Sequence, residues 1–155
     1  MNFQFKTLND VKVIDIVSYI SSVIKDDPNV RIYIGTDSQN QAGQTTMATV
    51  IAFRYSFNRG SHVIYKKEYI KPKMNQMIPR LLLEAEKTLE VASWLQENYT
   101  TLKLTAVEFD VNKDISAASN AIVSAVSGWG VGLGFNVLTK PDEMVATKAA
   151  NELCR

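Results

Sequence analysis

The sequence predicts an α/β domain in which a five-stranded mixed sheet is flanked by helices. Three observations carry this. Between residues 30 and 70, three β-rich runs are separated by short polar turns, the pattern of an antiparallel meander. From residue 79 onward the apolar periodicity changes in the order helix, strand, helix, strand, helix, as in β-α-β units. At 155 residues the chain suits a single domain with a proper core, and it contains no internal repeat, linker or low-complexity tract. The expected organisation is one domain over 1–155, with 1–29 as an N-terminal helical extension and 30–155 as the core.

The elements follow in order. Thr7-Leu-Asn-Asp10 has the form of a helix cap, and Val13, Ile14, Val17, Ile20 and Ile24 recur at helical spacing, predicting a helix over 8–25. Asp26-Asp-Pro-Asn29 ends it. Arg31 to Gln39 reads as a buried strand, followed by a polar loop over 40–44. Thr46 to Phe57 and His62 to Ile70 complete the meander around the turn Asn58-Arg-Gly-Ser61. Pro79 sits well for the start of a long helix reaching about Tyr99. Leu102 to Phe109 is the next strand, with Asp110 at its end. Asp114 or Ser116 is placed to cap a small-residue helix containing Ala117, Ala118, Ala121, Ile122 and Ala125. Gly132 to Thr139 reads as a short fifth strand, and Pro141-Asp-Glu opens the last helix.

Composition is ordinary for a globular domain, with 46% hydrophobic and 21% charged residues. The single Cys154 excludes an internal disulfide and a cysteine-based zinc site, and fits a reducing compartment. The N-terminus lacks the pattern of a signal peptide, and no apolar run approaches the roughly 20 residues needed to span a bilayer. A soluble cytoplasmic protein is the expectation.

Net charge is only +1, but its distribution is uneven. Segment 54–80 carries seven basic residues, Arg54, Arg59, Lys66, Lys67, Lys71, Lys73 and Arg80, against one acid. Interleaved with Tyr55, Phe57, Tyr65 and Tyr69, these could track a polyanion backbone. A solvated hairpin whose lysines guard a strand edge fits the same pattern.

Two strands of apolar character end in a carboxylate, Asp37 and Asp110. If those strands are parallel neighbours, both acids stand at the same end of the sheet, where only a cation or a shared proton offsets their repulsion. Oxygen ligands of this kind suit Mg²⁺ or Mn²⁺. Two unrelated turn-forming aspartates would leave the same trace. On the helix after the meander, Ile78, Leu81, Ala85, Leu89 and Ala92 form the expected buried stripe, with Glu86, Glu90 and Glu97 facing away. Glu84 lies at the edge of that stripe, beside Val91 and Leu95.

Together, Ile34-Gly-Thr-Asp-Ser-Gln39, Glu84 after a meander, Val107-Glu-Phe-Asp-Val-Asn112 and the closing Ala149-Ala-Asn-Glu-Leu153 resemble a ribonuclease H-like domain. With Thr139-Lys-Pro-Asp142, the same motifs resemble more narrowly the YkuK-like branch of predicted nucleases. The resemblance covers residue 30 to the C-terminus. It implies that Asp37, Glu84 and Asp110 are catalytic carboxylates holding divalent metal, Mg²⁺ or Mn²⁺, in a site where two ions about 4 Å apart cleave phosphodiester bonds of RNA or DNA. No protein nucleophile is then needed, in keeping with a chain whose one histidine, His62, has no Ser-His-Asp or Cys-His partners.

The chain departs from the family at Asn151, which stands where a fourth carboxylate is usual. An amide oxygen still ligates a cation, but one negative charge is lost, and Glu152, Asp142 or Glu143 are alternative sources of it. Ser38 and Gln39, and Lys140 and Lys148 flanking the site, are candidates to bind substrate phosphate or ordered water; local backbone bonding and plain solvation are their alternatives. Gly128-Trp-Gly-Val-Gly-Leu-Gly134 lacks the strand–turn–helix setting of a dinucleotide fingerprint and reads as a turn into a strand. The partner expected is nucleic acid, with no membrane. A catalytically weak module that binds nucleic acid or protein is the competing reading.

Overall fold

The computed structural model describes residues 3–112 and 117–155; the expected caps Asp114 and Ser116 lie outside them. The strands are β1 (Lys6–Thr7), β2 (Arg31–Gln41), β3 (Gln44–Arg54), β4 (Ser61–Ile70), β5 (Ala106–Asn112) and β6 (Val137–Lys140), and the helices α1 (Ile16–Asp26), α2 (Met77–Asn98), α3 (Ala117–Gly132) and α4 (Ala146–Leu153). They form one mixed sheet in the order β1-β4-β3-β2-β5-β6. β2, β3 and β4 are the antiparallel meander, while β5 and β6 run parallel to β2.

Strand alternation sorts the side chains into two layers. Ile32, Ile34, Ile51, Phe53, Val107 and Phe109 face α1, α2 and α3. Tyr33, Ala48, Val50, Ala52 and Ala106 face α4, which covers its side of the sheet alone. Alanines and Gly35 on that second face let the helix sit close. A Cβ on Gly35 would stand 2.7 Å from Thr147 Cγ2 and 3.0 Å from Thr147 N, so glycine is required there by proximity.

The sheet has six strands rather than five because the N-terminus begins extended. Phe3 and Phe5 are buried, Lys6–Thr7 pairs with β4, and Val13 N bonds Phe5 O at 2.9 Å. The helix therefore starts at Ile16, capped by Asp15 accepting from Ser18 N, eight residues later than the spacing predicts. Ile14, counted into the helical stripe, is 90% exposed.

The polar loop over 40–44 is a two-residue hairpin turn. Ala42 and Gly43 both have positive φ, 49° and 78°, the twist that joins tightly paired strands. β2 thus continues to Gln41, and Asp37 lies inside the hairpin rather than at its end. α3 continues through Gly132, where the glycine pattern suggested a turn. Gly130 lets it approach β6 and β5, since a Cβ there would stand 2.6 Å from Val137 Cγ2. The strand expected from Gly132 begins at Val137, and the last helix begins at Ala146 after a turn over 141–145. No helix among the described residues is long and apolar enough to cross a membrane.

Candidate metal centre

The site grows out of the parting of two parallel strands. β2 and β5 pair from Tyr33↔Ala106 to Gly35↔Glu108, and there their ladder ends. Two residues further along, on the face covered by α4, come Asp37 and Asp110. The separating C-terminal ends of parallel strands open a crevice, the usual place for a ligand in such sheets. The two acids feel each other's charge across it.

Asp37 is 7% exposed, and Asn151 Nδ2 donates to its Oδ2 at 2.8 Å. Burial raises its pKa, the Asn151 hydrogen bond opposes that, and the Asp110 charge adds to it. α4 delivers Asn151 because it runs along β2. Thr147 packs on Gly35, Asn151 reaches Asp37 one turn later, and Cys154 Sγ contacts Asp37 O at 3.3 Å.

Glu108 sets the position of that helix. This side chain is fully buried, and its Oε2 accepts from Val145 N at 2.9 Å and its Oε1 from Thr147 N at 2.8 Å. A carboxylate at the first amides of α4 satisfies donors that the helix itself cannot. Burial pushes its pKa up and those hydrogen bonds pull it down. Sequence reasoning missed Glu108 as a working residue. The signal was its place two residues before Asp110, a second acid on the same strand face.

Glu84 belongs to the middle of the buried face of α2 rather than its edge, in line with Thr88, Val91 and Leu95, while Ile78 is 39% exposed. Ser38 Oγ donates to Glu84 Oε1 at 2.6 Å. Below it, Thr88 Oγ1 lies 2.9 Å from Thr36 Oγ1, which lies 3.0 Å from Thr49 Oγ1. Glu84 and Asp110 line the same small cavity at the strand parting. Burial above all, then repulsion from Asp37 and Asp110, pushes the Glu84 pKa up to about 8, against the Ser38 hydrogen bond and the Arg80 charge. Three acids from β2, α2 and β5 therefore form one electrostatic unit.

Asp110 is paired with Lys140. Between Phe109↔Thr139 and Asn112↔Lys140 the β5–β6 register shifts, leaving Asp110 and Val111 as a bulge. Lys140 Nζ stands 2.7 Å from Asp110 Oδ1. That oxygen is buried and has no well-formed hydrogen bond among the described residues, so the contact is a charge pair.

The other candidates are placed as follows. Gln39 Nε2 lies 3.4 Å from Asn151 O, and Lys148 is exposed on a groove that Asp110, Lys140 and Asn151 also line. The three acids considered as replacements for the missing carboxylate are engaged elsewhere. Asp142 Oδ2 accepts from Thr139 N, Glu143 pairs with Arg54 at 3.1 Å, and Glu152 with Arg155 at 3.5 Å.

The donor set consists of carboxylate oxygens, the chemistry of a hard divalent cation, while Asn151 turns its amide N–H to Asp37. Mutual repulsion of the acids is what such an ion would relieve. Among the described residues, however, no three acidic, histidine or cysteine side chains are drawn together closely enough to grip an ion. The donors fit Mg²⁺ or Mn²⁺ in kind, and closing on one requires Asp110 to loosen its lysine.

A family model described as Ribonuclease H-like matches residues 14–155. The chain belongs to the ribonuclease H-like family. No curated protein matches it. Among solved structures it is similar to LC11-RNase H1 in complex with an RNA/DNA hybrid, at 16% identity and a TM-score of 0.39, over 81% of this chain and 93% of that one.

Proposed function

We propose that the protein is a divalent-metal-dependent nuclease that cleaves phosphodiester bonds of RNA or DNA in a cytoplasmic setting. Asp37, Glu84 and Asp110 hold the metal, with Asn151 as an uncharged fourth neighbour. The observation carrying this reading is the pair of acids on one face of β2 and β5 just past the end of their ladder, with Glu84 buried at the parting. Membership of the ribonuclease H-like family supports it.

A bound Mg²⁺ or Mn²⁺ would acidify a water and offset charge on the phosphate. The chain's residues do the rest. Asn151 fixes the Asp37 carboxylate and Ser38 fixes Glu84. Without metal, Glu84 holds its proton up to about pH 8, so metal loading must release that proton and should strengthen as pH rises.

In the basic segment, Arg54, Arg59 and Lys66 are spent on ion pairs. Lys67, Lys71, Lys73 and Arg80 have none among the described residues and remain to hold a nucleic-acid backbone, joined by Lys148. Arg80 Nε is buried without a hydrogen-bond partner among the described residues, a donor left over for phosphate.

A second reading rests on the internal satisfaction of the site. Asn151 and Lys140 already answer Asp37 and Asp110, as expected of a module that binds nucleic acid without cutting it. Incubating the protein with labelled single-stranded, duplex and hybrid substrates in Mn²⁺ separates the two. The nuclease reading expects cleavage by wild type that falls at least about a hundredfold in Asp37→Asn and Asp110→Asn, and rises in Asn151→Asp. Binding without cleavage would establish the second reading instead, and equal cleavage by all variants would overturn the nuclease reading of this site.

A further inference from the structure

We infer that the Lys140 ammonium is a built-in counter-ion of Asp110 that competes with a divalent ion for that carboxylate, so that Lys140 sets how tightly the centre takes metal. The inference rests on the metal-site reading above and goes beyond it by naming the residue that limits metal entry.

Backbone geometry rather than a chance surface encounter makes the pair. The bulge in β5 turns Asp110 toward the end of β6. There the chain is clamped directly after Lys140 by Asp142, whose N–H donates to Thr139 O at 2.8 Å and whose Oδ2 accepts from Thr139 N at 3.2 Å. The ammonium ends 2.7 Å from Asp110 Oδ1 and also feels the Asp37 charge, so it stands among the acids a metal would use.

The Lys140 side chain is 52% exposed, so solvent screens its pair and a divalent ion can compete for Asp110. Lys140 therefore sets a threshold for metal entry at Asp110 rather than sealing it. Of the other charged groups of the same groove, Asp142 is held by the turn, Glu143 pairs with Arg54 and Glu152 with Arg155, and Lys148 is exposed.

Mn²⁺ titration followed by calorimetry and by the paramagnetic resonance of free Mn²⁺ tests this without any activity readout. Wild type and Lys140→Arg are expected to bind Mn²⁺ alike. Lys140→Met, and Lys140→Gln as a second uncharged variant, should hold the ion at least about tenfold more tightly. Binding to the uncharged variants alone would also support the inference. Equal binding by wild type and both uncharged variants would overturn it while leaving the metal-site reading intact. No binding by any of the four proteins would overturn both. Thermal melting of each variant confirms that a folded protein was titrated.

Discussion

Among the acids of the proposed site, Glu84 is the one whose ionisation the fold perturbs most. In the unfolded chain it ionises near 4.5, whereas in the fold burial and two neighbouring acids raise its pKa to about 8. A folded state that holds a proton more tightly than the unfolded one loses stability as pH rises. Below about 4.5 Glu84 contributes no pH dependence, and from there through about 8 its contribution becomes steadily unfavourable. Asp37 and Glu108, both raised, act in the same direction. Denaturant unfolding in chelator should therefore show stability falling between about pH 5 and pH 9, with Glu84 contributing on the order of 4 kcal/mol. Glu84→Gln keeps an acceptor for Ser38 but cannot ionise, so most of that slope should vanish. A slope unchanged by the variant would mean that Glu84 ionises freely. The sequence showed Glu84 beside an apolar stripe but not that it sits within it. Periodicity weighs side chains by hydropathy, and Glu84 and Thr88 are polar residues buried because Ser38 and Thr36 meet them from the sheet.

At the scale of elements, the site depends on how closely α4 lies against β2. Gly35 opens that space, Glu108 holds the first turn of the helix, and Asn151 reaches Asp37 as a consequence. Gly35→Ala would force a Cβ to within 2.7 Å of Thr147 Cγ2, displacing α4. The expected cost is about 1–3 kcal/mol, read by denaturant unfolding, together with weaker Mn²⁺ binding because Asn151 moves with the helix. Unchanged binding would detach the helix from the site. Local patterns made most elements legible: the meander, the long α2 and the alternation into β5 and β6 all follow from apolar spacing. The boundaries that sequence misplaced were decided by contacts distant in the chain. Residues 8–15 carry helical spacing, yet Lys6–Thr7 pairs with β4, Val13 N bonds Phe5 O and Lys12 bridges Lys6, so the segment turns back along β1 instead of coiling. The Ala42–Gly43 turn escaped notice because alanine is a poor marker of the left-handed conformation it adopts.

For the whole molecule, topology explains why two distant aspartates become neighbours. A sheet that places β5 beside and parallel to β2 brings residue 110 level with residue 37, and that much was legible once both strands were recognised. The pairing of Asp110 with Lys140 was not, because it depends on a bulge between β5 and β6 that no local pattern announces. The result is a ribonuclease H-like frame in which Asp37 meets an amide and Asp110 an ammonium. The most direct test is anomalous diffraction from crystals grown in Mn²⁺. The account predicts a manganese peak at the parting of β2 and β5, bounded by the Asp37 and Asp110 carboxylates, with Lys140 either displaced or sharing Asp110. Crystals in which both acids keep their Asn151 and Lys140 partners, with no manganese between them at saturating concentration, would contradict it.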